Sequence, residues 1–581
     1  MKRLLALLLA LTMLVALTAC SGGKDNADAG DSTAGDDAST ADAGDDTDAD
    51  TTTTDDTANG DDFLVTVCIA SEPESIDPAI NKAVDGAVMI QHMFEGIMRW
   101  EDDGEGNATL VEGQTESYEK IVNDDGTVLY KFKLRDDIKW SDGQDVVAED
   151  FVYALKRLVD PATASDYNYM ANMILNANEI MEGEMDKEEL GVTAVDDKNL
   201  EITLFYDCPY FLEVLAFPSL LPVRKDIIEE YKDQWTFDPE TYIGNGSMNM
   251  SEWEHNAYIE MVPSETYYNQ DKVNVDRLRF ALMDDANAML NGFNSGELDF
   301  IEEVPVDEIA TLKDAGDLKI VDYVGTYYVS FNNEVEPFDD PKVREAFGLV
   351  IDRNYIIDEI SQTGEVPATG YVPSGVYDAQ GASGDDFRTV GGEYYDVSDE
   401  AYEANCEKAR ELLAEAGYPD GEGFPIVDYM YNTDDRHKAI GEALQNMWQT
   451  ELGVTVTLTN QEWGVFLDTR SNGDYQIARN GWIADYNDPI SFLDMWVTGG
   501  GNNDSNFSNE AYDAAIKNAQ STADQEERMK YMHEAEDILM KDEYFSAPIF
   551  FYTQKYMVNE NLEGLYYTPL GYFFFMNMKQ K

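Results

Sequence analysis

The chain has 581 residues, carries 116 Asp and Glu against 39 Lys and Arg for a formal charge of −77, and is 43% hydrophobic. A surface this negative repels nucleic acid and anionic lipid headgroups, which argues against polyanion binding. The length exceeds what one hydrophobic core organises, so two or three domains are expected.

The first element is a targeting segment. Lys2 and Arg3 precede an apolar run from Leu4 to Leu17, broken only by Thr12. That run is shorter than the roughly 20 residues that span a bilayer, so residues 1–19 read as a signal peptide rather than a membrane helix. It ends in Leu17-Thr18-Ala19-Cys20, which resembles the bacterial lipobox. The resemblance implies that Cys20 carries a diacylglyceryl anchor, and two acyl chains hold a protein stably where one does not. Residues 20–62 would then be the lipidated cysteine and an acidic linker almost entirely of Asp, Thr, Ala, Gly and Ser, with Lys24 as its only cation and no large apolar residue before Phe63. Such a composition cannot offset chain entropy and predicts an extended, disordered tether.

From Phe63 onward the composition is globular. The apolar run 63–70 reads as a buried strand ending in the turn-forming residues 71–78. Residues 128–134 alternate at period two, and 148–158 have helical spacing with Asp145 as the cap. Another strand is expected over 200–205, and amphipathic helices over 343–360 and 403–416, the second stopped by Gly417. Short strands and helices alternate without tandem repeats, which gives mixed α/β and disfavours solenoids and propellers.

No signature of catalysis emerges. His92, His255, His437 and His533 are far apart, and His533-Glu534 lacks the second histidine of a zinc-protease helix. There is no nucleophile elbow and no phosphate-binding loop. Cys68, Cys208 and Cys406 have neither metal-ligand nor redox spacing, and Cys68, between Val67 and Ile69, reads as a small buried hydrophobe. The reading is therefore a binding protein, not an enzyme, with no cofactor and no metal.

The stretch from Gln461 to Pro489 is the richest in chemistry. Residues 475–479 alternate as a strand, Gly481 lets another group approach closely, and the turn at Asn487-Asp488-Pro489 follows Asp485. A strand end thus displays Arg479, Gly481, Trp482 and Asp485 within seven residues. That set suits a zwitterionic peptide: a carboxylate for its ammonium, guanidinium for its carboxylate, and strand edges for its backbone. Residue types alone are equally consistent with Trp482 filling a core and with Arg479 and Asp485 forming an internal ion pair.

Across residues 63–581 the sequence resembles the oligopeptide-binding (OppA-like) proteins, the extracytoplasmic receptors of peptide-importing ABC transporters, in extracellular solute-binding protein family 5. Ser75-Ile-Asp-Pro78, Met93-Phe-Glu-Gly96, Lys139-Trp-Ser-Asp-Gly143, Glu149-Asp-Phe-Val-Tyr153 and Phe331-Asn-Asn333 carry the resemblance, and Ala478-Arg-Asn-Gly-Trp-Ile-Ala-Asp-Tyr-Asn487 is the most specific. It implies an α/β, periplasmic-binding-protein-like type II clamshell of two lobes plus an additional domain. Lobe I would comprise 63–94, 220–324 and 553–581; the extra domain 95–219; and lobe III 325–552.

By the same resemblance Asp485 receives the peptide ammonium, and Val84, Tyr167, Gly481 and Trp482 lie near its backbone. Arg470, Arg479 and His437 receive its carboxylate at different peptide lengths, and Asn291, Asn432 and Asn502 line the groove. Departures from the family pattern are Lys82 and Ser330 at positions expected to be acidic, and Gly244-Asn-Gly-Ser-Met248, which does not end in an aromatic residue. The implied partners are short peptides, an ABC permease and ATPase complex, and the membrane through the diacylglyceryl anchor, with the protein monomeric and outside the cytoplasm. Rival readings are a receptor for a dipeptide, nickel chelate, sugar or pheromone peptide, and an extracellular peptidase.

Overall fold

The computed structural model describes residues 62–522 and 524–581. The expected signal peptide, Cys20 and all but the end of the expected tether lie outside the described residues. No helix among the described residues is long and apolar enough to cross a membrane.

The frame is an eleven-stranded sheet built as two sets of strands. In the first, Leu64–Cys68 lies parallel between Arg277–Ala281 and Phe300–Ile301, and Tyr258–Pro263 and Met248–Glu254 continue it antiparallel. In the second, Val427–Asn432 lies parallel between Val456–Gln461 and Ile477–Ile483. Two strands of 13 residues, Lys319–Phe331 and Ser546–Val558, run antiparallel to each other and join the two sets. Ser546–Val558 pairs through its last residues with Phe300–Ile301, and Lys319–Phe331 pairs through its second half with Ile477–Ile483. Their mutual register slips between Asp322 and Thr326, where residues 323–325 face a single residue of the partner strand. A bulge of this kind bends and twists the ribbon that carries it.

A separate antiparallel sheet of four strands comes from residues 115–204. Its strand Val128–Leu134 buries Val128, Tyr130, Phe132 and Leu134 and exposes Lys131 and Lys133, the expected alternation. Each large side chain so buried contributes about 1.5–3 kcal/mol. The helix Ala148–Leu158 has the expected bounds and covers this sheet with Phe151, Val152, Leu155 and Leu158. Its cap is not Asp145, which pairs instead with Lys139 at 2.6 Å. The Asp150 carboxylate reaches back to accept the Val147 N–H at 3.0 Å.

The expected helix over 343–360 is in fact broken. Pro341–Leu349 ends, and a new turn, Arg353–Tyr355, leads into the π-helical Ile356–Ser361. The Asp352 carboxylate caps the second piece by accepting the Tyr355 N–H at 2.9 Å, and the buried Arg353 guanidinium takes the Ile351 carbonyl at 3.2 Å. Apolar spacing runs through the break and conceals it. The next helix, Tyr402–Glu415, matches expectation and is followed by Gly417 at φ +102°. Cys68, Cys208 and Cys406 are free buried thiols, and burial pushes those of Cys68 and Cys208 up to about 12.

Candidate functional site

A cavity of about 370 Å³ opens beside the strand Ile477–Ile483. This strand begins two residues later than the alternation at 475–479 suggests. Its Gly481 faces Tyr327 across the ladder, and a Cβ there would lie 2.3 Å from the Tyr552 hydroxyl. Glycine is required so that the Tyr552 side chain can lie against the strand.

Asp485 follows the strand and is 8% exposed. Its Oδ2 accepts a hydrogen bond from the Tyr169 hydroxyl at 3.0 Å, and its backbone N–H donates to Ser491 Oγ at 2.8 Å. Among the described residues no cation offsets its burial, which pushes the carboxyl up to about 8. Trp482 donates its indole N–H to the Ser491 carbonyl at 2.6 Å, and its ring lies 11° from parallel to Tyr167 at 6.3 Å. Both rings line the cavity.

On the basic side, Arg479 Nη2 donates to His437 Nε2 at 2.7 Å. That bond leaves the imidazole proton on Nδ1, which faces the Tyr327 hydroxyl at 3.3 Å and Asp434 at 3.6 Å. Burial, then the charges of Arg479, Arg436 and Lys555, hold His437 well below the usual histidine range, so it is neutral. The Arg479 guanidinium sits 5.7 Å from the rings of Tyr327 and Trp463 and 5.9 Å from that of Phe466, with its Nε buried and unpartnered. Arg479 and Asp485 thus turn to different neighbours and do not neutralise each other.

The remaining expected residues divide. Arg470 lines the cavity with its charge already met by Asp504 at 2.6 Å. Asn432, whose Oδ1 is buried without a partner, lines it too, as does Asn502, whose amide lies 3.5 Å from the Asp166 carbonyl. Val84 lines it from the start of the helix Val84–Met93. Asn291 does not join them. It is an exposed residue of Ala286–Ser295, whose Met289 reaches the cavity; two positions on, a helix has turned about 200° away.

Of the departures from the family pattern, Lys82 lines the cavity and pairs with Glu74 at 3.3 Å, while Ser330 is buried against Tyr475 and Ser505. Gly244 and Gly246 press on the backbone at Met93, where a Cβ would come within 2.1 and 2.5 Å. The charged lining residues that the sequence does not point to include Arg436, Asp85, Glu302 and Asp504. Arg436 adjoins His437 and Asp85 adjoins Val84, but in a chain with 116 acidic residues a single carboxylate carries no signal.

Residues 109–504 match the model of the bacterial extracellular solute-binding proteins, family 5. The oligopeptide-binding protein OppA of Bacillus subtilis is 34% identical over 525 residues, spanning 88% of this chain and 92% of that protein. Haemophilus influenzae OppA in complex with RPPGFSPFR superposes with a TM-score of 0.82 at 30% identity, covering 90% of this chain and 99% of that one. The murein tripeptide-binding protein MppA of Escherichia coli also gives 0.82 at 30% identity, over 90% and 99%. Against its unliganded open form, over 90% and 98% of the two chains, the value is 0.59.

Proposed function

The chain belongs to the bacterial extracellular solute-binding proteins of family 5, and from that premise we propose that it captures short oligopeptides outside the cytoplasm and hands them to an ABC importer. The observation that carries the reading is Asp485, a buried carboxylate that lines the cavity and has no cation beside it among the described residues. An unpaired buried charge costs several kcal/mol, so a carboxylate held this way is built for an ammonium that arrives with the guest. The Arg479–His437 pair, with one guanidinium nitrogen unpartnered, is the complementary receiver for a carboxylate. Asp485 takes the peptide N-terminus; Arg479 and His437 take the C-terminus.

Residues 63–94, 220–324 and 553–581 act as one lobe, 325–552 as the other, and 95–219 as the additional domain. What supports this division is that both proposed crossings, 324/325 and 552/553, fall at the register slip of the two long strands. Closure brings Tyr169 onto Asp485 and Tyr167 onto Trp482. The lower TM-score against the open form of MppA supports a closed arrangement. A lipid anchor at Cys20 and delivery to a permease complete the proposal.

Calorimetry with a mixed peptide pool tests it. Asp485→Ala should abolish detectable heat while the fold, followed by circular dichroism, stays intact; unchanged affinity would remove Asp485 from the site. Mass spectrometry of copurifying ligands should show short peptides. Incubation with peptides should show no turnover.

A further inference from the structure

One wall of the cavity is not used by the two ends of a peptide. Asp85, in the first turn of Val84–Met93, and Glu302, next to the strand Phe300–Ile301, both line it, as do Asp284 and Glu303. The cations on this side already have acidic partners. Lys555 lies 2.7 Å from Glu303, Lys82 lies 3.3 Å from Glu74 and 3.9 Å from Asp166, and Arg436 lies 3.4 Å from Glu365. Asp85 and Glu302 form no ion pair among the described residues. The Oδ2 of Asp85 is buried without a hydrogen-bond partner, and Glu302 accepts the Gln554 amide at 2.9 Å.

The electrostatics agree with the geometry. Burial above all, with Glu74 adding repulsion, pushes Asp85 up to about 6. Burial pushes Glu302 up to about 7, against the Gln554 hydrogen bond and the attraction of Lys555 and with repulsion from Glu303 and Asp85. Two desolvated carboxyls at one cavity wall raise each other's cost of ionisation, and a positive group between them would relieve both. No cluster of three or more ligating side chains among the described residues is placed to hold a metal ion, which leaves an organic cation.

We infer that Asp85 and Glu302 form a subsite for a Lys or Arg side chain of the enclosed peptide, so that the protein selects basic peptides over neutral and acidic ones. The inference rests on the peptide-binding reading and adds the class of side chain.

Titration calorimetry at pH 8 with tri- and tetra-alanine, and with Lys or Glu substituted at each position in turn, separates the two claims. At one position Lys should bind at least tenfold tighter than Ala, and Glu at least tenfold weaker. The double variant Asp85→Asn, Glu302→Gln should keep the wild-type affinity for the alanine peptides and lose the preference for Lys. Equal affinity for Lys, Ala and Glu peptides in the wild type, or a Lys preference that survives in the double variant, would overturn the subsite and leave peptide binding standing. No binding of any free-terminus peptide would instead overturn the function reading, and this inference with it. Should the double variant not fold, the wild-type ratio of Lys to Ala affinity decides. It should fall as pH drops from 8 to 5, because both carboxyls take protons, and a ratio constant over that range refutes the subsite. Asp485 affects both peptides alike and cancels from the ratio.

Discussion

At Asp485 stability and the proposed function pull in opposite directions. Its carboxyl is raised to about 8, so the folded state holds that proton more tightly than the unfolded chain does. Stability from this group is therefore fully present at low pH and is lost as pH rises through the folded value. Asp485→Asn should stabilise the empty protein at pH 8, by roughly 1–3 kcal/mol in denaturant unfolding, while removing peptide binding. A peptide ammonium favours the ionised carboxylate, so binding near pH 7 should release a proton. The affinity for a neutral peptide should strengthen from pH 6 to about pH 8, and calorimetry in buffers of different ionisation enthalpy reads the proton directly. Arg479 and Arg470 should differ. Arg479→Met should weaken binding by about 2–5 kcal/mol, since a buried charge partner is lost. Arg470→Met should chiefly destabilise the fold, because it leaves the buried Asp504 carboxylate alone.

At the scale of elements, the strand Ile477–Ile483 works because Gly481 gives way to Tyr552. Gly481→Ala should displace that ring and weaken peptide binding, and Tyr552→Phe in the same chain should restore it in part, because the hydroxyl is the atom that clashes. The elements that could be read from the sequence share a physical cause. Val128–Leu134 is half-buried, so its alternation is complete, and Tyr402–Glu415 ends at a glycine that only a left-handed residue can replace. The break between Leu349 and Arg353 leaves no mark on the apolar spacing: a buried arginine, anchored on the distant Pro548 carbonyl at 2.9 Å, turns back on the carbonyls of Gly348 and Ile351. The same distinction separates the site residues. Arg479, Trp482 and Asp485 lie in one motif, whereas Asp85 and Glu302 come together only through folding, and Asn291 was assigned to the groove although its helix turns it away.

For the whole molecule, the two long strands together join the two sets of the main sheet, Ser546–Val558 pairing with the first and Lys319–Phe331 with the second. If they carry the opening motion, addition of a bound peptide should lower the radius of gyration in small-angle scattering, and Asp485→Asn should not respond. The charge of −77 acts on the same scale. Like charges repel over the Debye length of about 10 Å at 0.1 M salt, so added sodium chloride should raise the melting temperature of the unliganded protein. No gain would show that local ion pairs already absorb the repulsion.

The buried carboxyl of Asp485 also bears on how faithfully a receptor of the proposed kind would report. If the proposed lobes shut without a guest, they would enclose a carboxylate stripped of hydration and a guanidinium with an idle nitrogen, an uncomfortable posture. A cargo with both ends charged turns the discomfort into a latch. A downstream machine that recognises only the shut outline would therefore seldom be deceived by an empty carrier.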